Sequence, residues 1–434
     1  MVFKVGLLGL GTVGTGTAKI LLDAAQRHPL LQTLEIHKVG VRSLDKSRSV
    51  NLPEECLTTD LEAIVTDPDI DIVVEVIGGL EPARSLILEA IEDGKHVVTA
   101  NKAVISRYGN EIAEAAKKAG VYVLYEAAVG GGIPVIQPLQ QALGVNRIET
   151  VTGIINGTTN YILTRMESEG GDFAPILDDA QKLGYAEADP TADVDGLDAA
   201  DKIAILASIA FGGKIRREDV FTEGIRNVSA ADVNYAKTLG FVIKLLAIAK
   251  RNDTSDTIQL RVHPTLVPLK HPLASVNDVN NAVLVEGNPI GRVMLYGPGA
   301  GEGPTASAIV SDVMAIAATL HMESPAEEKL PNPLLSTAYS DYITISPMEE
   351  LESRFYLRLM FKDKTGVIGH LGEIFGQHNV SLESIVQIGL QDNLAELVVV
   401  THEVKEGEFQ KAVEVLNASS SDVDSIASVL RVLE

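Results

Sequence analysis

The sequence predicts an α/β fold in which the first third of the chain forms a doubly wound parallel sheet. Short runs rich in β-branched residues alternate there with segments of helical periodicity, and Gly, Asp or Asn bounds each run. Strands separated by helices pair in parallel through crossover connections, with helices on the faces of the sheet. The pattern changes after about residue 147 and again near residue 353, which indicates two further domains.

The first domain is expected to cover residues 1–130, and an apolar helix from Pro304 to Leu320, within residues 301–322, is expected to complete it. Pro304 falls in the first turn of that helix, where its missing N–H does no harm. The predicted strands are Phe3–Leu8, Leu34–Val41, Ile70–Ile77, His96–Thr99 and Val121–Tyr125. The predicted helices are Thr12–Ala25, Ala83–Glu92 and Gly109–Ala119.

Residues 131–300 are expected to form an α+β domain. Its predicted elements are strand Ile148–Ile155, helices Phe173–Lys182 and Leu197–Phe211, and strands Ile258–Pro264 and Ala282–Glu286. Residues 323–352 are expected to be a linker because they combine acids with four prolines, namely Pro325, Pro331, Pro333 and Pro347. Residues 353–434 follow with strand Phe355–Phe361, helix Val367–His378, strands Ser384–Leu390 and Ala395–Val400, and a helix near Glu408–Leu416.

The net charge of −23 argues against two classes of partner. With 36 basic and 59 acidic residues, the chain repels nucleic-acid phosphates and anionic membrane surfaces. Its longest apolar stretches contain polar residues well before the ~20 residues of a membrane span, and a strand begins at Phe3, where a signal peptide would lie. Cys56 is the single cysteine, so no intramolecular disulfide forms. We therefore expect a cytoplasmic protein.

A glycine-rich turn between the first strand and the first helix predicts dinucleotide binding. It is a G-x-G-x-x-G motif formed by Gly9, Leu10, Gly11, Thr12, Val13 and Gly14. The first Gly permits a tight turn, the second lets a pyrophosphate approach the backbone, and the third allows close helix–strand packing. The helix N-terminus adds N–H donors and a partial positive charge. The motif also occurs in purely structural turns, but here both flanking elements fit a Rossmann-type domain.

The end of the second strand predicts NADP rather than NAD. NAD-binding domains offer Asp or Glu to the ribose hydroxyls there, whereas this chain offers Arg42, with Lys46 and Arg48 beyond it. A guanidinium suits the 2′-phosphate of NADP through charge-assisted hydrogen bonds. The alternative is a solvated basic loop, which would leave NAD possible as the cofactor.

Two lysines are candidates for the chemistry. Lys102 follows a strand at the carboxyl edge of the predicted sheet, where ligands bind in open α/β folds, although a surface lysine is the alternative. Lys202 lies four residues after Asp198 at the start of a helix whose continuation is apolar. Such a pair is usually a surface ion pair. A lysine at the mouth of a buried helix, however, can transfer a proton at working pH.

Several motifs, in order and at the expected spacing over residues 1–350, resemble those of the homoserine dehydrogenase family. Besides the first-domain motifs they are Glu126–Pro134, Asn156–Tyr161, Gly184–Lys202 and Gly301–Ser307. The resemblance implies oxidation of L-homoserine to L-aspartate 4-semialdehyde, run physiologically in reverse, in threonine, methionine and isoleucine biosynthesis. It makes residues 131–300 the substrate-binding and dimerisation domain, and we expect a homodimer or homotetramer.

The resemblance also implies roles for individual residues. Lys202 would donate the proton to the aldehyde oxygen, and Asp198 would bind the hydroxyl end of the substrate and orient that lysine. Glu187 would take the α-amino group and lie at the cofactor. Three further residues would contact substrate or cofactor, namely Gly184, Gly303 and Lys102.

In this family a sodium-like cation is held by backbone carbonyls, here those of Glu126, Val129, Gly131 and Ile133. A Gly-rich turn frees carbonyls for a hard cation, so the assignment is physically sensible. The alternative is a plain strand-to-helix turn. The resemblance gives the ion a structural role.

The last 80 residues resemble an ACT domain, which has a ferredoxin-like βαββαβ fold. Asp363, Gly366 and Asn379 correspond to the place where that family binds a regulatory amino acid, and threonine is the expected ligand. The usual sequence has Pro where Thr365 stands, which affects the shape of the loop. The alternative is a dimerisation module without a ligand.

Two other functions compete with this one. A dehydrogenase that oxidises the same semialdehyde needs a thiolate nucleophile in its catalytic domain, and Cys56 falls in the cofactor half. A non-catalytic amino-acid and dinucleotide sensor would bind its ligands without turnover. Under that alternative, nothing would require the set formed by Glu187, Asp198 and Lys202.

Overall fold

The computed structural model describes residues 2–25, 27–252, 255, 257–322, 341–362, 364–391, 394–418 and 423–433. The chain divides into two compact units. Unit 1 comprises Met1–Val151, Asp201–Glu218 and Asn281–Ile343, and unit 2 comprises Thr152–Ala200, Asp219–Asn280 and Thr344–Glu434. Most of the predicted linker, with Pro325, Pro331 and Pro333, lies outside the described residues.

The strands are β1 (Phe3–Leu8), β2 (Leu34–Gly40), β3 (Leu57–Thr58), β4 (Ile72–Glu75), β5 (His96–Thr99), β6 (Val123–Leu124), β7 (Arg147–Ile154), β8 (Phe221–Thr222), β9 (Phe241–Arg251), β10 (Thr257–Pro268), β11 (Asn280–Asn288), β12 (Gly291–Pro298), β13 (Thr344–Ile345), β14 (Glu352–Lys362), β15 (Leu382–Gln391), β16 (Leu394–Thr401), β17 (Val404–Lys405) and β18 (Val423–Val432). The helices are α1 (Thr12–Leu22), α2 (Glu62–Val65), α3 (Ala83–Glu92), α4 (Lys102–Ala119), α5 (Ile136–Gln140), α6 (Gly157–Glu169), α7 (Phe173–Lys182), α8 (Thr191–Val194), α9 (Leu197–Phe211), α10 (Ala230–Thr238), α11 (Glu302–Met322), α12 (Val367–Gln377) and α13 (Glu406–Ala418).

Unit 1 contains a fully parallel sheet with the strand order β3-β2-β1-β4-β5-β6. The chain winds outward from β1 in one direction and then from β4 in the other, which confirms the predicted doubly wound sheet. Leu8 at the end of β1 is paired with Glu75 at the end of β4. The winding reverses between these two strands, so a ligand-binding crevice is expected beyond their carboxyl ends.

Helix α11 packs against the same core as β1 and α1. Its residues Ile309, Val313 and Ile316 are fully buried there. Among the described residues, one helix, α11, has the length and the apolar composition needed to cross a membrane. Its burial in the core of unit 1 accounts for that composition.

The structure also corrects the predicted start of one helix and adds elements that were not predicted. Helix α4 begins at Lys102 rather than Gly109, because the Asn101 side chain accepts a hydrogen bond from the Val104 N–H and caps the helix. Helix α10, which the sequence analysis did not predict, begins with a capping box between Ser229 and Asp232. The helix α6 and the strands β9 and β12 were also not predicted.

Unit 2 contains a sheet in which the strands follow the order β9-β10-β18-β14-β16-β15. The last four form an antiparallel sheet whose chain order, β14-α12-β15-β16-α13-β18, is the βαββαβ pattern of the ACT resemblance. Strand β18 also pairs in parallel with β10: Thr265 is paired with Arg431, and Leu266 is paired with Val432. The ACT sheet therefore continues into the β9–β10 hairpin.

Two buried arginines fasten the ACT strands to the rest of unit 2. Arg358 of β14 donates from Nε to the fully buried Asp232 carboxylate at 2.8 Å and from Nη1 to Glu396 at 2.8 Å. Arg431 of β18 makes a bidentate pair with Glu406, at 2.8 and 2.7 Å, and donates to Glu223 at 2.9 Å. We call these the Arg358 network and the Arg431 network.

Candidate active site

The glycine-rich turn joins β1 to α1 in the geometry that the motif predicts. Gly9 has a φ of +111°, and its N–H donates to the Gly40 carbonyl at 3.1 Å. A Cβ on Gly14 would lie 2.1 Å from the Gly9 carbonyl oxygen, so helix and turn are in direct backbone contact. A Cβ on Gly11 would meet no atom within 4 Å. The first and third glycines therefore build the turn, and the second leaves open space before the N-terminus of α1.

Helix α11 closes against α1 next to this turn. A Cβ on Gly16 would lie 2.8 Å from the Glu302 carbonyl oxygen, and Lys19 pairs with the Glu302 carboxylate at 2.6 Å. Gly303 follows in the first turn of α11, and a Cβ there would meet no atom within 4 Å. The predicted cofactor residue Gly303 is thus a position without a side chain that faces open space.

Beyond β2, the basic residues of the loop have different surroundings. The Arg48 guanidinium donates to the carbonyl oxygens of Ser43, Leu44 and Lys46 and so holds the loop together. Arg42 is exposed, and within the described part of the chain its guanidinium has no hydrogen bond or ion pair. Of the two arginines, Arg42 is therefore the one available to a ligand.

A buried carboxylate that the sequence analysis did not identify shapes the crevice. Glu75, at the end of β4, accepts hydrogen bonds from the N–H groups of Ile77 and Gly78 at 2.9 and 3.2 Å and from the Thr99 hydroxyl at 2.6 Å. Asn101 continues the network: its N–H donates to the Thr99 hydroxyl at 2.9 Å and its amide to the Gly79 carbonyl at 2.7 Å. The network fixes the loop after β4 against the start of α4.

Two predicted lysines belong to unit 1. Lys102 is the first residue of α4 and is half-buried, directly after the Asn101 cap. Lys202 lies in α9 with 8% of its surface exposed. The Asn101 side chain accepts a hydrogen bond from the Val104 N–H and donates one to the Gly79 carbonyl. These two bonds fix the position of the backbone at Lys102 beside the crevice.

The turn predicted to hold a cation presents buried carbonyls. Gly130 and Gly131 adopt left-handed φ values of +74° and +57°. Within the described residues no hydrogen bond is donated to the carbonyls of Val129, Gly131 or Ile133, all of which are buried residues. Buried carbonyls normally have partners. A small hard cation would satisfy this donor set.

Two buried acids adjoin that turn. The Glu126 carboxylate accepts three backbone N–H groups, from Val135, Ile136 and Gln137, at 2.6 to 2.8 Å. Burial raises the pKa of Glu126. Asp312 of α11 accepts from the Glu126 N–H at 2.7 Å, and burial together with the charge of Glu126 raises the pKa of Asp312 to about 8. The acids fasten α5 and α11 to the turn.

Unit 2 contains the other predicted substrate residues. Asp198, in the first turn of α9, is 5% exposed and accepts a hydrogen bond from the Asn156 amide at 2.8 Å. The same amide NH₂ donates to Asp193 at 2.7 Å, while the side-chain oxygen Oδ1 of Asn156 caps α6 by accepting from the Thr159 N–H at 2.9 Å. Asn156 thus holds two carboxylates at one helix N-terminus. The division between the units falls within α9, after Ala200.

The segment between α7 and α8 carries Gly184 and Glu187, both exposed. Gly184 has a left-handed φ of +79°. The Thr158 hydroxyl donates to the Tyr185 carbonyl at 2.8 Å, and the Gln181 amide donates to the Glu187 carbonyl at 2.9 Å. These contacts fix the backbone on either side of Gly184 and leave the Glu187 side chain at the surface.

Of the predicted regulatory residues, two are described. Gly366 is the N-cap of α12 with a φ of +96°, and Asn379 follows α12 with a φ of +58°. Asp363 lies outside the described residues. Both described residues occupy backbone conformations that Gly and Asn adopt more readily than other residues.

Comparisons with known proteins give one answer across the chain. Residues 134–314 match the family model described as homoserine dehydrogenase, and residues 9–126 match the model of the homoserine dehydrogenase NAD binding domain. Residues 355–420 match the model of the ACT domain.

Individual relatives extend this result. A homoserine dehydrogenase from Synechocystis sp. is 64% identical over 435 residues, covering 100% of both chains. A crystal structure of a homoserine dehydrogenase from Thiobacillus denitrificans superposes with a TM-score of 0.92 at 42% identity, covering 100% of this chain and 99% of that one. A hyperthermophilic archaeal homoserine dehydrogenase in complex with NADPH gives a TM-score of 0.63 at 28% identity, covering 75% of this chain and 100% of that one.

Proposed function

The chain belongs to the homoserine dehydrogenase family, and from that premise we propose that NADP is its preferred dinucleotide and that Lys202 transfers the proton of the reaction. It is a homoserine dehydrogenase, an oxidoreductase of amino-acid biosynthesis with a dinucleotide-binding domain and an ACT domain. The non-catalytic sensor is not favoured by these relatives.

The reaction needs one proton transfer and one hydride transfer. When bound, the dinucleotide exchanges a hydride with the carbon that carries the hydroxyl group of homoserine. In the reducing direction, Lys202 donates a proton to the aldehyde oxygen as the hydride arrives; in the oxidising direction it removes the hydroxyl proton. The supporting observation is the burial of Lys202 in an apolar helix, one turn after Asp198.

We assign substrate binding to Asp198, Glu187, Gly184 and Lys102. Asp198 binds the hydroxyl end of the substrate and orients the lysine, and Asn156 fixes the direction of the Asp198 carboxylate. Glu187 takes the α-amino group, since its exposed carboxylate is free to turn toward a ligand. Gly184 and Lys102 complete the set, the first by leaving room and the second by its place beyond β5.

Replacing Lys202 tests the mechanism. Lys202→Ala is expected to reduce turnover, followed by NADPH absorbance, by roughly 10²–10⁴-fold while the affinity for NADP stays nearly unchanged. The matched control is Lys182→Ala: Lys182 forms an exposed pair with Asp178 at the same four-residue spacing in α7. Near-normal turnover of a folded Lys202→Ala protein would remove this lysine from the mechanism.

We assign the choice of NADP to Arg42. The guanidinium stands exposed beyond β2, whereas Arg48 is occupied by loop carbonyls, and the archaeal relative was solved with NADPH. Arg42→Ala is expected to lower kcat/KM for NADP more than for NAD, because only NADP carries the 2′-phosphate. Lys46→Ala is the control for loss of charge in the same loop. An equal loss with both dinucleotides would show that Arg42 does not discriminate.

We further propose that the carbonyls of Glu126, Val129, Gly131 and Ile133 hold a monovalent cation, with Na⁺ as the expected ion. The support is that three of these four carbonyls, those of the buried residues Val129, Gly131 and Ile133, accept no hydrogen bond within the described residues, and that the Glu126 carbonyl accepts only the long bond from the Val129 N–H at 3.4 Å there. The role is structural, so replacing Na⁺ by a large organic cation should lower thermal stability. Unchanged melting temperatures across cations at constant ionic strength would contradict the site.

Finally, we propose a cytoplasmic homodimer or homotetramer inhibited by threonine through the ACT domain. Gly366 and Asn379 shape the expected ligand loops at the two ends of α12. Removing the ACT domain would be a poor test, because β18 pairs with β10 and deletion would expose that strand. The full chain should instead be assayed with millimolar threonine, isoleucine, methionine or lysine, alongside Asn379→Ala. Insensitivity to all four would contradict the regulatory assignment.

A further inference from the structure

Asp201, the residue directly before Lys202, joins α4 to the part of α9 that lies in unit 1. It is 7% exposed, and its carboxylate accepts hydrogen bonds from the Ser106 hydroxyl at 3.2 Å and from Arg107 at 3.4 Å, both in α4. It also accepts from Nε of Arg217 at 2.9 Å. One buried carboxylate therefore connects α9 with α4 and with the segment that follows α9.

The two helices that Asp201 connects each carry a lysine of the candidate site. Helix α4 begins at Lys102, one turn before Ser106, and Lys202 is the neighbour of Asp201 in α9. Within residues 201–211, Asp201 is the one acid. The acids of α4 are engaged elsewhere: Glu111 pairs with Arg84 and Glu114 with Lys214.

Apolar packing between α4 and α9 is incomplete just beyond this connection. A cleft of about 40 Å³, partly open to solvent, is lined from α4 by Ile105, Ser106 and Gly109 and from α9 by Ala204, Ile205 and Ser208. Such a gap removes van der Waals contacts from the side chains around it. Close packing therefore does not fix the distance between the two helices here, which leaves that task to the Asp201 hydrogen bonds.

We infer that Asp201 is a positioning residue, which sets Lys102 and Lys202 relative to each other by holding α4 against α9. Without its charge, the guanidiniums of Arg107 and Arg217 would lose their shared partner and repel each other. The helices would then separate at the level of the lysines. The inference rests on the proposed role of Lys202, because displacement of a misassigned lysine would have no effect on turnover.

The experiment compares Asp201→Asn with Glu114→Gln in the full-length enzyme. Both substitutions remove an acid that connects α4 with α9 or the segment after it, but the Glu114–Lys214 pair lies more than two helical turns from Lys102 along α4. Asp201→Asn is expected to lower kcat about 10–100-fold, the effect of displacing a reacting group by about 1 Å, with KM for NADP unchanged. Glu114→Gln should leave kcat at the wild-type value.

The outcomes separate this inference from the proposed function. Wild-type kcat in a folded Asp201→Asn enzyme, or an equal loss in Glu114→Gln, overturns the positioning role. If Lys202→Ala keeps its activity, the proposed mechanism itself fails. Should Asp201→Asn not fold, the pair Ser106→Ala and Arg107→Met removes the α4 partners while leaving Arg217 to neutralise Asp201. That double variant must then show the same loss of kcat, and normal turnover would contradict the inference.

Discussion

The dinucleotide end of unit 1 and the ACT-bearing part of unit 2 both bury carboxylates, but they satisfy them differently. In unit 1, Glu75 and Glu126 accept mainly backbone N–H groups from residues at most 11 positions away in sequence. In unit 2, Asp232 and Glu406 lie against the guanidiniums of Arg358 and Arg431. The first arrangement uses local turns, and the second joins distant strands and helices through side chains.

The difference has consequences for stability. Backbone N–H donors are already held in place by the fold, so an acid that accepts hydrogen bonds from them requires little further loss of conformational entropy. A buried ion pair has to offset the desolvation of two charges, and removing one partner leaves the other charged and buried. We therefore expect unit 2 to be the more sensitive to replacement of a single charged side chain.

The largest expected effect is in the Arg358 network. Arg358→Met leaves Asp232, which is 0% exposed, without its cation and should lower the free energy of unfolding by about 3–5 kcal/mol. Chemical denaturation measures this directly. Lys411→Met, which breaks an exposed pair with Glu408 in the same domain, is the control and should cost about 1 kcal/mol or less. Equal effects of the two would contradict the comparison.

The next expected effect concerns a buried cation whose hydrogen-bond partners among the described residues are amide and carbonyl oxygens. Lys244 of β9 donates to the Val276 carbonyl at 2.6 Å and to Asn277 at 2.9 Å, and burial lowers its pKa from 10.5 to about 8. Between pH 8 and 10.5 the unfolded chain then binds more protons than the folded one. The contribution of Lys244 to the free energy of unfolding therefore increases as the pH rises from 8 to 10.5. Below pH 8, Lys244 is charged in both states, and the folded protein bears the full cost of burying that charge.

Comparing unfolding free energies at pH 7.5 and 10.5 tests this sign. The wild type should gain up to about 3 kcal/mol relative to Lys244→Met over that range, at about 1.4 kcal/mol per pKa unit. The hydrogen bonds that Lys244→Met lacks shift its unfolding free energy by the same amount at every pH. The change of the unfolding free energy with pH therefore still reports the titration of Lys244. The exposed Lys237→Met should follow the wild type. A wild type whose slope matches that of Lys244→Met would show that Lys244 does not titrate in this window.

The smallest expected effect on stability lies in the glycine turn. Gly14→Ala places a methyl group against the Gly9 carbonyl and should cost about 1–3 kcal/mol together with loss of NADP binding. Gly11→Ala meets no protein atom, so it should weaken NADP binding while stability changes by less than about 0.5 kcal/mol. Calorimetry of unfolding and of NADP titration separates the two. Destabilisation by Gly11→Ala would mean that the turn is packed more tightly than the structure shows.

The same contrast explains what the sequence could predict. The glycine turn, the parallel strands and the βαββα order of the ACT domain depend on local patterns, and the structure confirms them, whereas the last strand, β18, was implied only by the ACT resemblance. The start of α4 was missed because Ser106, Arg107 and Tyr108 interrupt its apolar periodicity, although Asn101 is a recognisable cap. The role of Asn156 had no local signal, since its hydrogen bond to Asp198 spans 42 residues.

The long-range polar contacts had no such signal. Asp232 and Arg358 are 126 residues apart, and Arg431 lies 208 residues from Glu223. A Glu at the end of an apolar strand, as at Glu75, could have suggested a buried acid that accepts backbone N–H groups. The sequence around Asp201 predicts the start of a helix but gives no indication that this carboxylate contacts α4.

The pairing of β18 with β10 also bears on biogenesis. Thr265 and Leu266 pair with Arg431 and Val432, 166 residues later in the chain, and the Leu433 N–H donates to the Leu266 carbonyl at 2.8 Å. A nascent polypeptide must therefore be elongated past Leu433 and leave the ribosome before this end of β10 gains its neighbour. Until then, the unpaired edge is open to chaperones and to other growing chains. Strand β10 thus gains its last neighbour only when the ACT domain has been synthesised.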